Sequence, residues 1–127
     1  MFKVQLRYSD TDQMGVIYFA RYFVYADEAI TSFMKERDID IVKLEKEGIY
    51  FAVASAHCDY EKPIKYSDNC LVKVQVSRIG NTSVTFNFEI MANNEVVANG
   101  YIVYVLIDKE GKKKQLPDEI RKSLIKS

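Results

Sequence analysis

The chain holds a single histidine, His57, only two cysteines, Cys58 and Cys70, and no excess of either charge. Each shortage removes a class of function. A zinc site built from histidine and cysteine needs more ligands at tighter spacing, so a structural metal is not expected. Both cysteines sit in strand-like segments with no export signal ahead of them, which makes them reduced packing residues rather than a disulfide. Lys plus Arg equals Asp plus Glu at 18 each, so the field needed to hold nucleic acid or an anionic membrane surface is lacking. No run approaches the roughly 18 apolar residues of a membrane span. Met1-Phe2-Lys3 leads into a strand pattern rather than a secretory signal. One cytoplasmic domain covering residues 1–127 is the expectation at this length.

The most informative stretch runs from Tyr8 to Arg37. A strand-like piece carries two carboxylates, Asp10 and Asp12, the chain bends at Gly15, and neither glycine nor proline interrupts it from there to Arg37. From Phe19 onward Phe19, Tyr22, Phe23, Ala26, Ala29, Ile30, Phe33 and Met34 recur three and four apart, which predicts one long helix with a buried stripe. Arg21, Asp27, Glu28, Thr31, Lys35 and Glu36 fall on its wet side. The unpaired amides that open a helix should then collect near Ile17 to Ala20, just beyond Gly15. A carboxylate is thereby expected beside the positive end of a helix.

Residues 2 to 8 alternate Phe2, Val4, Leu6 and Tyr8 against Lys3, Gln5 and Arg7, the pattern of a half-buried strand. After a polar break at Asp38-Ile39-Asp40, Ile41 to Glu47 suits a short second helix closed by Gly48. Ile49 to Tyr60 reads as a strand with Tyr50, Ala52, Ala54, Ala56 and Cys58 on one face, small enough for a helix to lie close, and Lys62-Pro63 ends it. Cys70, Val72, Val74 and Val76 mark another strand, Ile79-Gly80-Asn81 a turn, and Val84 to Ile90 with Asn93-Asn94 the clearest hairpin. Tyr101 to Ile107 is apolar on both faces, as in a central strand or one covered by another subunit. A short terminal helix is expected from Pro117. The sum is an α+β fold, an antiparallel sheet of about five strands curled around one helix.

These residues carry a resemblance. The run Tyr8-x-Asp10-Thr11-Asp12-x-x-Gly15-Val16-Ile17-Tyr18-x-x-x-Tyr22, followed by a helix with Asp27 and Ala29, resembles the 4-hydroxybenzoyl-CoA thioesterase family. Within that family it looks most similar to the small acyl-CoA thioesterases associated with the Tol–Pal system. Asp59-Tyr60-x-x-Pro63, Ser67-Asp68 and the turn Gly80-Asn81-Thr82-Ser83 extend the likeness over most of the chain. The resemblance implies the hotdog fold, a homodimer or homotetramer with sites between subunits, and hydrolysis of an acyl-CoA to a carboxylic acid and coenzyme A. It implies no metal and no redox cofactor. It puts the catalytic carboxylate on Asp12 and the carbonyl-polarising amide on Phe19. Substrate contacts are expected at Gly15, Tyr18 and Tyr22 beside the bend, at His57 in the acyl pocket, and at Arg78 and Thr82 near the turn where some relatives grip the CoA phosphates. Relatives often carry histidine where this chain has Phe19, which makes the pocket more apolar here.

The chemistry has a physical basis. A thioester carbonyl gathers negative charge as it is attacked, and a well-aimed amide lowers that barrier by about 3 kcal/mol. An ionised Asp12 either attacks the carbonyl carbon or activates a water. Simpler roles stand beside these. Asp12 also suits an Asx turn or a helix cap, although Asp10 fits that role better. His57 and Cys58 are strand neighbours and point to opposite faces, so they form no dyad. The helix carboxylates Asp27 and Glu28 offer an alternative base. Two rivals to hydrolysis remain, a hotdog hydratase or dehydratase, which would need a pocket histidine paired with a carboxylate, and a non-catalytic acyl-CoA-binding module.

Overall fold

The computed structural model describes residues 1–125. Five strands, β1 (Phe2–Lys3), β2 (Tyr50–Tyr60), β3 (Cys70–Ile79), β4 (Ser83–Ala92) and β5 (Glu95–Ile107), form one antiparallel sheet in the order β1-β3-β4-β5-β2. The long helix α1 (Arg21–Glu36) lies against its concave face, with the short α2 (Ile41–Lys46) after it and α3 (Asp118–Ile125) at the end. β5 is a central strand, flanked by β4 and β2, with Ile102, Tyr104 and Leu106 buried on the helix side.

Helix α1 forms because its apolar residues share a stripe. Tyr22, Tyr25, Ala26, Ala29, Ile30 and Met34 are buried against Val72, Val84, Phe86, Phe88, Ile102 and Tyr104 of the sheet. Full burial of each large side chain contributes about 2 kcal/mol. The helix ends in a left-handed residue, Asp38 at φ 62°, with the Ile39 amide reaching back to the Met34 carbonyl at 3.0 Å. Gly48, at φ 80°, ends α2 in the same way, as the sequence led one to expect, and the Asp40 side chain caps its start through the Lys43 amide.

Three expectations need correction. The opening strand pairs only over Phe2–Lys3, opposite Val72 and Leu71, because β3 begins at Cys70 and offers no ladder beyond it. Phe2, Val4 and Leu6 still turn inward, but Tyr8 enters a 3-10 turn and is 76% exposed. The helix proper begins at Arg21 rather than Phe19, and Tyr18 and Phe19 project from its mouth instead of joining the core.

The third correction concerns β2. A bulge between Val53 and Ser55 leaves Ala54 without a partner on β5 and reverses the alternation. Directly opposed residues share a face, so Phe51 and Val53 face the helix side before the bulge and Ala56, Cys58 and Tyr60 face it afterwards. Tyr50 and Ala52 turn to the outer face. The alanines do not cushion a helix, since Ala54 and Ala56 are exposed on a strand whose second edge has no partner among the described residues.

Candidate active site

Residues 10–18 fold into a narrow two-armed ribbon. The Asp12 amide donates to the Val16 carbonyl and the Tyr18 amide to the Asp10 carbonyl, each at 2.8 Å, with Thr11 opposite Ile17. Gly15 makes the bend at φ 80°, a conformation that costs glycine nothing and most residues over 1 kcal/mol. The outgoing arm is tied to the loop after β2, where the Ile17 amide donates to the Ile64 carbonyl at 2.7 Å.

The Asx-turn role that the sequence suggested for Asp10 falls instead to Asp12. Asp10 is buried, with its Oδ1 2.9 Å from Nη2 of Arg21 and its Oδ2 accepting the Tyr25 hydroxyl at 2.7 Å. Burial, and then the bond to Asp10, hold the Tyr25 phenol far above its ordinary range, so it stays a donor. Asp12 makes the Asx turn, with Oδ1 accepting the Met14 amide at 2.8 Å. Its Oδ2 has no partner among the described residues, and the side chain is exposed. Within one chain this corner is open surface rather than a cleft.

Beyond the ribbon the chain enters α1. The Arg21 and Tyr22 amides fold back onto the Tyr18 and Phe19 carbonyls at 2.9 and 3.3 Å. The amides of Phe19 and Ala20 meet no acceptor among the described residues. Two unpaired donors at the positive end of a 16-residue helix can stabilise a developing anion. Aromatic rings surround them. Tyr18 packs on Phe19 with centroids 4.7 Å apart, and Tyr60 stands edge-on to Tyr22 at 4.8 Å and to Phe19 at 6.2 Å.

The structure therefore brings Asp12, Gly15, Tyr18, Phe19 and Tyr22 to one end of α1. It does not bring the others there. His57 lies on the outer face of the sheet, stacked on Tyr101 at 5.5 Å with Nε2 3.1 Å from Oδ1 of Asp59. Arg78 sits near the far end of β3 and Thr82 in the turn beyond it, at least about 25 Å from the strand's start at Cys70. The helix carboxylate Asp27 is engaged by the buried Tyr104 hydroxyl at 2.5 Å. Two features were missed from the sequence. The Asp10–Arg21–Tyr25 cluster left no signal beyond an acidic residue among polar ones, whereas Tyr60 stood in the quoted run Asp59-Tyr60-x-x-Pro63 and was given no role.

A model of the thioesterase-like superfamily matches residues 6–124. The chain belongs to that superfamily. A thioesterase of Thermus thermophilus, solved with coenzyme A and Zn, is 30% identical and superposes at a TM-score of 0.81 over 96% of this chain and 88% of that one. A putative acyl-CoA thioesterase of Bacillus subtilis, YneP, is 25% identical over 122 residues, 95% of this chain and 86% of its own length. The acyl-CoA thioesterase YbgC of Haemophilus influenzae is 28% identical over 108 residues, 84% of this chain and 79% of its own. The five-stranded sheet wrapped on α1 is the hotdog fold of this superfamily, and the relatives' names agree with a thioester hydrolase. Among the described residues no three His, Cys, Asp or Glu side chains gather as a metal site. No helix among them is long and apolar enough to cross a membrane.

Proposed function

We propose that the protein hydrolyses the thioester of a short-chain or aromatic acyl-CoA, with Asp12 as nucleophile or general base and the Phe19 amide polarising the carbonyl. The observation that carries this reading is the pairing of an uncommitted Asp12 oxygen with the free amides of Phe19 and Ala20 on one ribbon-and-helix corner. Attack on the carbonyl carbon places negative charge on its oxygen, where the amides meet it. Collapse of that adduct breaks the carbon–sulfur bond and releases the coenzyme A thiolate, which takes up a proton. Water completes the reaction, either as the attacking group or by hydrolysing an Asp12 anhydride. The exposed rings of Tyr18, Phe19 and Tyr60 favour a flat or short acyl group beside them.

A second copy of the chain belongs to this reading. The open edge of β2 presents unpaired backbone groups and the exposed Val53, Ala54 and Ala56, and the corner at Asp12 lacks a far wall. Edge-to-edge pairing of two β2 strands would join the sheets into a dimer with a site at each end, and dimers could pair again. Within the superfamily, the ribbon residues favour the 4-hydroxybenzoyl-CoA branch and its Tol–Pal-associated members. The hydratase reading is disfavoured because the His57–Asp59 pair lies on the outer face of the sheet, away from α1.

The test is thiol release from acetyl-, butyryl- and benzoyl-CoA. Wild type should turn over at least one of them, and Asp12→Asn should lose about a thousandfold in kcat with its circular dichroism unchanged. Undiminished turnover by Asp12→Asn would reject the assignment. Saturable binding without turnover in the wild type would favour a binding module.

A further inference from the structure

We propose that Tyr60 is a positioning residue of this site, its hydroxyl holding the Phe19–Ala20 peptide so that the two free amides at the mouth of α1 face the thioester oxygen together. The inference rests on the thioesterase reading. Tyr60 is the last residue of β2, on the helix side of the sheet, and its hydroxyl donates to the Phe19 carbonyl at 2.9 Å. Edge-on contacts with Tyr22 and Phe19 fix the ring, and hence the direction of the hydroxyl.

The two peptide units that carry the free amides are held by different means. The unit bearing the Phe19 amide is set by its own carbonyl, on Tyr18, which accepts the Arg21 amide at 2.9 Å. The unit bearing the Ala20 amide has the Phe19 carbonyl, which otherwise accepts only the long 3.3 Å bond from Tyr22. A peptide unit is planar, so a bond that fixes the carbonyl also aims the amide on its other side. Donation to that carbonyl further polarises the amide. Partial desolvation, and then the neighbouring Cys58, push the Tyr60 hydroxyl from 10.0 up to about 12, so it is a donor throughout the neutral range. Tyr60 touches no reacting atom in this scheme; it acts through the peptide it orders.

Tyr60→Phe keeps both ring contacts and deletes only the hydroxyl. We expect kcat for the best acyl-CoA substrate to fall about 10- to 100-fold, with KM and the melting temperature unchanged. The Ala20 amide signal in a nitrogen–proton correlation spectrum should move more than that of Phe19. Wild-type kcat in Tyr60→Phe, alongside a dead Asp12→Asn, would overturn the inference and leave the thioesterase reading standing. A loss of kcat matched by a raised KM and a lowered melting temperature would make Tyr60 a structural pin and overturn it too. Full activity in Asp12→Asn would remove the reading and the inference together.

Discussion

Oδ1 of Asp10 and Nη2 of Arg21 lie 2.9 Å apart, and the carboxylate is only 4% exposed. This pair, with Tyr25 on the other oxygen, joins the ribbon that carries Asp12 to the first two turns of α1. Deleting the carboxylate strands the Arg21 guanidinium, the Tyr25 hydroxyl and the Arg7 amide as donors, next to an Arg21 Nε that is already buried without a partner among the described residues. Asp10→Ala should therefore lower the unfolding free energy by about 2–4 kcal/mol in urea titration. Asp10→Asn, which retains an acceptor for Tyr25, should lose less. An unchanged midpoint in the alanine variant would mean that the pair contributes nothing.

Gly100 should resist substitution. A Cβ at this position would lie 1.9 Å from the His57 carbonyl oxygen, on the backbone of the paired strand, where no side-chain rotation relieves it. Gly100→Ala has to part β2 from β5. A melting temperature at least 10 °C lower, or insoluble protein, is the expected result, and a stable variant would show that the strands separate at little cost.

The open edge of β2 predicts an assembly. Light scattering should give wild-type protein a mass at least twice the 14.7 kDa of the chain. Val53 is 60% exposed beside that edge, and a charge there opposes a second strand. Val53→Lys should shift the mass toward one chain and reduce turnover with it. A monomeric wild type with full activity would contradict the shared site.

The Cys70 thiol gives alkaline stability a definite sign. Burial first, and then the nearby Asp68 charge, push it from 9.0 up to about 12. A group whose pKa is raised on folding supports the fold fully below its unfolded value and loses that support as the pH climbs toward the folded one. Wild-type stability should thus decline between pH 9 and about 12, and Cys70→Ala, though weaker at neutral pH, should decline less steeply over that range. Equal slopes in melting temperature against pH would remove the thiol from the account.

Much of the fold was legible because α1 and β3 to β5 obey their periodicities. The stripe from Tyr22 to Met34, the Asn93-Asn94 turn and Gly48 each have a local cause that sequence spacing displays. The opening strand was overextended because its length is set by where Cys70 begins on another segment, which alternation cannot reveal. The carboxylates were harder to assign for a similar reason. Asp10 and Asp12 are two apart on one arm, and only the approach of Arg21 and Tyr25 from α1 distinguishes the buried one from the free one. His57 was expected in the pocket, but its face depends on the bulge at Ala54, which the sequence does not display.

That bulge sets how the strand's chemistry is dealt out. Because side chains alternate strictly in register, pairing Ala54 into the ladder instead of bulging it out would shift every later residue of β2 by one and turn it to the other face. Holding the Tyr50 end fixed, the imidazole would come to the helix side of the sheet and the Tyr60 phenol would turn to the outer face. One uncommitted alanine thus decides whether this corner works with a phenol or an imidazole.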